Sequence, residues 1–110
     1  MKITKLENCG NSPKNIFLEE FAIEILKRNV EFIKEHSNYD LKIIDIIDDN
    51  NFNFSEVEII YSISHGKVGT VLFEGINNGV RRMYSFHFIF ATLKFNKVAT
   101  FYVTSGDVLA

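Results

Sequence analysis

The chain has 110 residues, the length of one domain with one core. Its 46% apolar and 24% charged residues are ordinary for a water-soluble globular protein, and no run is apolar enough to span a bilayer. A net charge of −2 argues against nucleic acid or an anionic membrane as partner.

That charge is uneven: residues 1–65 carry 7 basic and 12 acidic groups, whereas residues 66–110 carry 5 and 2. Cys9 is the single cysteine, so an intrachain disulfide or a zinc cluster of cysteines is excluded, and a reducing cytoplasmic location is expected. The segment Met1–Asn8 is polar and too short for a lipoprotein signal.

In chain order, Asn11-Ser12-Pro13 predicts a helix start. The Ser12 hydroxyl can accept from an orphan backbone N–H, and proline suits the first turn, where its missing donor is not needed. Leu18, Phe21, Ala22 and Ile25 then recur at helical spacing, widened by Phe17 and Leu26. Asn29 reads as a second cap, followed by a short helix through Phe32 and Ile33 that Ser37-Asn38-Tyr39-Asp40 ends. The β-branched run Leu41–Ile47 predicts a strand, and Asp48–Asn51 a polar turn.

From Val57 onward a meander of four strands is predicted. Val57, Ile59, Tyr61 and Ile63 alternate with Glu58, Ser62 and Ser64, which assigns the first set to the core. Gly66-Lys67 turns the chain into Val68–Glu74, and Asn77-Asn78-Gly79 is a hairpin signal. Arg81–Ala91 and Val98–Ser105 complete the sheet, joined within Thr92–Lys97. Side chains two apart in a strand share a face, so Tyr84, Phe86, Phe88 and Phe90 line the inner side. Met83, Ser85, His87 and Ile89 line the outer one. Helices first and meander second imply an α+β domain with helices covering one face of a curved antiparallel or mixed sheet.

Several segments resemble a family. Cys9-Gly10-Asn11-Ser12-Pro13-Lys14, then Asn29-Val30-Glu31-Phe32-Ile33, Ile63-Ser64-His65-Gly66-Lys67, Tyr84-Ser85-Phe86 and Thr100-Phe101-Tyr102-Val103 are similar, in that order, to small bacterial nuclear transport factor 2-like (SnoaL-like) proteins. The resemblance covers Cys9–Val103. It implies a cystatin-like cone, with helices packed into a strongly bent sheet around a pocket, and a homodimer that pairs through the outer sheet face. It also implies a third helix before the long sheet, yet only Leu41–Glu56 is left for it, so that helix is expected to be reduced or absent. Relatives often place an acid on the long strand where this chain has Phe88, a ring that cannot assist proton transfer.

The resemblance frames three functions. The first is a pocket protein without clear catalytic machinery, binding an apolar or aromatic small molecule between Phe17, Phe21, Tyr61, Tyr84, Phe86 and Phe88. The second is an isomerase, cyclase or hydrolase using Asp40 as base with His65 or a tyrosine such as Tyr84 as partner, which requires these groups to converge. The third is a homodimeric interaction module with a filled core, paired through Met83, Ser85, His87 and Ile89. No cofactor is implied, and the three histidines lie too far apart in sequence for metal-ligand spacing. Arg81 and Arg82 could clamp an acid or simply keep a sheet end soluble.

Overall fold

The computed structural model describes residues 1–6, 12–38, 42–50, 52–94 and 97–107. The elements are β1 (Lys2–Lys5), α1 (Pro13–Leu26), α2 (Val30–Glu35), α3 (Ile43–Asp49), β2 (Phe54–His65), β3 (Val68–Asn77), β4 (Val80–Phe90) and β5 (Val98–Asp107). They form an α+β domain with a five-stranded mixed sheet.

Helix α1 begins where the sequence predicts, with the Asn15 N–H donating to Ser12 Oγ at 3.1 Å. Leu18, Phe21, Ala22, Ile25 and Leu26 are its buried stripe. The chain leaves α1 through Arg28, whose φ of 56° lies in the left-handed region. The Arg28 guanidinium is held there by Asp48 Oδ1 at 3.2 Å and the Phe52 carbonyl at 3.1 Å. Asn29 then caps α2, its Oδ1 accepting from the Phe32 N–H at 3.3 Å.

The run predicted as a strand at Leu41–Ile47 is a helix instead over its described part, and Asp48 and Asp49 belong to its last turn rather than to a loop. Ile43 and Ile47 are four apart, lie on one face and are buried, while Asp45 sits in the first turn, where a negative charge is favourable. Packing of that face overrides the strand preference of four isoleucines. A third helix is therefore present, short at seven residues.

The sheet order is β1-β2-β3-β4-β5, with β1 parallel to β2 and every other pair antiparallel. The β2–β3 turn uses Gly66 at φ 59°, and the β3–β4 hairpin uses Asn78 and Gly79 at φ 53° and 79°, the pair of positive angles that a tight two-residue hairpin requires. The N-terminal strand β1 carries no clear signal in the sequence. Its residues Lys2-Ile3-Thr4-Lys5 carry one apolar side chain, and at a sheet edge one is enough.

The expected strong bend is not formed: the sheet is not strongly curled. Sharp bending needs bulges repeated in neighbouring strands, but β3 pairs with β4 in unbroken register from Val68↔Ile89 to Asn77↔Val80. Register shifts are confined to β2, at Phe54/Glu56 and Ile59/Tyr61, and to the end of β4 at Ile89/Phe90.

The Ile59/Tyr61 shift corrects the predicted faces of β2. Ile59 pairs with Phe73 and Tyr61 with Leu72, so Ile60 is an extra residue and the alternation reverses beyond it. Val57 and Ile59 are buried as expected, but Tyr61 and Ile63 are exposed while Ser62 is buried. The inward serines meet the start of α1: Ser62 Oγ donates to the Asn15 carbonyl and Ser64 Oγ to Asn15 Oδ1, both at 2.8 Å.

All three helices send buried side chains to one side of the sheet, where Leu18, Phe21, Ile33, Ile43 and Ile47 join Phe73, Phe86 and Phe88 in one core. Helix α1 sits close because β3 carries glycine beneath it: a Cβ at Gly69 would lie 2.5 Å from Leu18 Cδ1. Among the described residues, no helix is long and apolar enough to cross a membrane.

Candidate functional site

The inner face holds the four-ring ladder of β4 as the sequence predicts, with Tyr84, Phe86, Phe88 and Phe90 all buried. The rings touch one another and the helices. Phe86 and Phe73 centroids are 4.9 Å apart, Phe88 and Phe21 5.1 Å, and Tyr84 lies 5.0 Å from both Phe52 and Phe54. These are edge-to-face and tilted contacts at ordinary packing distance, so the rings fill the space between helices and sheet. Phe17 is half-buried at the margin of this cluster, 5.8 Å from Phe21.

Of the residues predicted to line a pocket, Phe21, Tyr84, Phe86 and Phe88 come together as core, and Tyr61 lies across the sheet from them. The larger of two described clefts, about 870 Å3, runs instead between α2 and α3. Val30, Ile33, Ile43 and Ile44 form its apolar walls, with Lys34 and Lys97 among its polar members.

The predicted catalytic residues do not assemble. Asp40 lies outside the described residues. His65 is exposed at the end of β2, in register with Val68 and through it Ile89, which places it on the outer face. Tyr84 is on the inner face, so the thickness of the sheet separates it from His65. Arg81 and Arg82 pair within the chain, with Glu74 at 3.2 Å and Asp107 at 3.3 Å. Among the described residues, no three His, Cys, Asp or Glu side chains are grouped to hold a metal.

The outer face is the other organised surface. Strand registers align it in rows across β2, β3, β4 and β5: Tyr61–Leu72–Ser85–Thr104, Ile63–Thr70–His87–Tyr102 and His65–Val68–Ile89–Thr100. These three adjacent rows contain no Asp, Glu, Lys or Arg. Ile63 is 55% exposed, Val68 49% and Tyr102 48%. The charged side chains Glu58 and Glu74 enter only in the next row, with Met83 and Gly106.

His87 is the centre of this face. Its Nδ1 lies 3.2 Å from Thr70 Oγ1 on β3 and its Nε2 2.9 Å from Thr104 Oγ1 on β5. Its ring stacks on Tyr102, with centroids 4.5 Å apart and planes 13° from parallel. Burial among these neighbours holds its pKa below the ordinary 6.5 by making the charged form harder to solvate.

The pattern in β4 yields Met83, Ser85, His87 and Ile89 from sequence, but strict alternation in β2 assigns Tyr61 and Ile63 to the wrong side. The signal that could have placed them is the unbroken apolar run Ile59-Ile60-Tyr61, which breaks strict alternation and marks the bulge.

No protein-family model matches the chain. Neither a curated protein nor a solved structure matches it.

Proposed function

We propose that this chain is a non-catalytic interaction module that forms a homodimer through the outer face of its sheet. The observation that carries the reading is the set of three exposed rows across four strands without one formal charge. An uncovered sheet face normally mixes apolar and charged side chains; apolar and hydroxyl groups alone are the composition of a face that another surface covers. The occupant that fits is a second copy. The hydroxyls of Thr70, Ser85, Thr100, Tyr102 and Thr104 both donate and accept, so the surface is complementary to itself under a two-fold axis and has no like charges to oppose it.

The resemblance to nuclear transport factor 2-like proteins supports the same reading, as does the order of helices followed by a four-strand meander. We propose membership in that superfamily, with a filled core, an added N-terminal strand and a sheet that lacks the strong bend the resemblance implies. Sedimentation equilibrium tests the function: twice the chain mass is expected at roughly 100 μM, and a monomer at that concentration overturns it. Ile63→Glu, which puts an unpaired carboxylate from each copy into the covered apolar face, is expected to weaken pairing by about 100-fold or more.

The α2–α3 cleft favours a second reading, an apolar small-molecule site. Its volume of about 870 Å3 falls within the range of sites that hold small ligands. Native mass spectrometry with a panel of apolar and aromatic compounds is expected to retain at least one; retention of none removes this reading.

A further inference from the structure

Resting on the pairing just proposed, the position of His87 carries a consequence for its control. It lies in the middle row of the three and on β4, with β3 and β5 on either side. Its neighbours from β3 and β5 are Thr70, Tyr102 and Thr104, and along its own strand Ser85 and Ile89, all uncharged. Other titratable groups on the face lie at its margin: His65 one row away on β2, Glu58 and Glu74 in the row of Met83, and Lys67 at the β2–β3 turn. No carboxylate among these described neighbours is placed to compensate a positive imidazole.

In the neutral ring, one nitrogen donates to a threonine oxygen and the other accepts from a threonine hydroxyl, so both edges are satisfied within one chain. After protonation both nitrogens donate, which two hydroxyl oxygens can still accept. A free chain therefore tolerates the cation, because water reaches the half-buried ring. A dimer does not: a second copy seals the cation from water, and the two-fold axis brings a second, equally charged His87 to the same interface.

We propose that His87 makes assembly pH-dependent, with the neutral imidazole required for pairing and acid releasing the two copies. The sign follows from proton linkage. If the dimer binds the proton less readily than the monomer, its His87 pKa is the lower of the two, and association releases protons. Affinity is then full above the monomer pKa and falls as pH drops through it. Burial already sets that pKa below 6.5 in a single chain, so the loss occurs in the acidic range.

The experiment is sedimentation equilibrium of the full chain at about pH 7.5 and at about one pH unit below the His87 midpoint read by NMR in the single chain, with a Kd at least about tenfold weaker expected at the lower value. His87→Gln keeps a neutral side chain that can reach both threonines. It is expected to remain a dimer at both values, its fold checked by circular dichroism. A second measurement needs no variant: the His87 pKa, read by NMR in the wild-type chain, should fall as concentration rises through the dimer Kd.

The outcomes distinguish pairing from its control by pH. A monomer at about pH 7.5 removes the pairing itself, and this inference with it. A dimer whose Kd is the same at both pH values overturns only the role of His87. So does a His87→Gln chain that keeps the full pH response, or a His87 pKa indifferent to dimerisation.

Discussion

The two faces of one strand, β4, meet different surroundings and carry different residue types. On the inner face of β4, Tyr84, Phe86, Phe88 and Phe90 are buried against rings from α1, β3 and β5. On the outer face of the same strand, Met83, Ser85, His87 and Ile89 lie in register with residues of β3 and β5, and none of the four is fully buried. The inner face is finished by the chain's own helices, whereas three adjacent rows of the outer face are uncharged and carry exposed apolar side chains. Fold stability should therefore be concentrated on one side and association on the other.

The sharpest way to break that contrast is to empty the inner side. Phe86→Ala removes a fully buried ring that contacts Phe73, Phe88 and Phe101, and is expected to cost about 3–5 kcal/mol in urea unfolding. Gly69→Ala is the next test. The added Cβ would lie 2.5 Å from Leu18 Cδ1, where a buried leucine has little room to retreat, so about 1–3 kcal/mol is expected to be lost. Ser62→Ala deletes the buried hydroxyl that donates to the Asn15 carbonyl at 2.8 Å, and about 1 kcal/mol of destabilisation is expected. The smallest effect is reserved for the outer face. Ile63→Glu, measured below the concentration at which copies pair, should change stability by less than about 0.5 kcal/mol. If it destabilises the single chain as strongly as Phe86→Ala, the division between faces is wrong.

Much of this architecture was legible where one signal acted alone. Ser12-Pro13 fixed the start of α1, and Asn78-Gly79 fixed the β3–β4 hairpin, because a cap and a pair of positive φ angles are local requirements. The two faces of β4 could be read because its pairing with β3 has no register shift. Legibility failed where two templates overlapped. Ile43, Ile44, Ile46 and Ile47 suit a buried strand by composition and a helix by spacing, and only packing against the core decides between them. It failed again at Ile60, where one unpaired residue reverses every later side chain of β2. For the outer face, the β4 members were readable by parity, but Tyr61 and Ile63 became visible as surface residues only once that bulge was known.

Ile60 also decides how β2 would answer a change in its length. Loss of that one codon would leave Ile59 opposite Phe73 and Tyr61 opposite Leu72, so Tyr61 and Ile63 would keep facing outward and Ser62 and Ser64 would keep their places beneath Asn15. A residue inserted beyond it, with no second bulge to absorb it, would instead exchange the faces of everything that follows. The strand thus tolerates being one residue shorter far better than one residue longer.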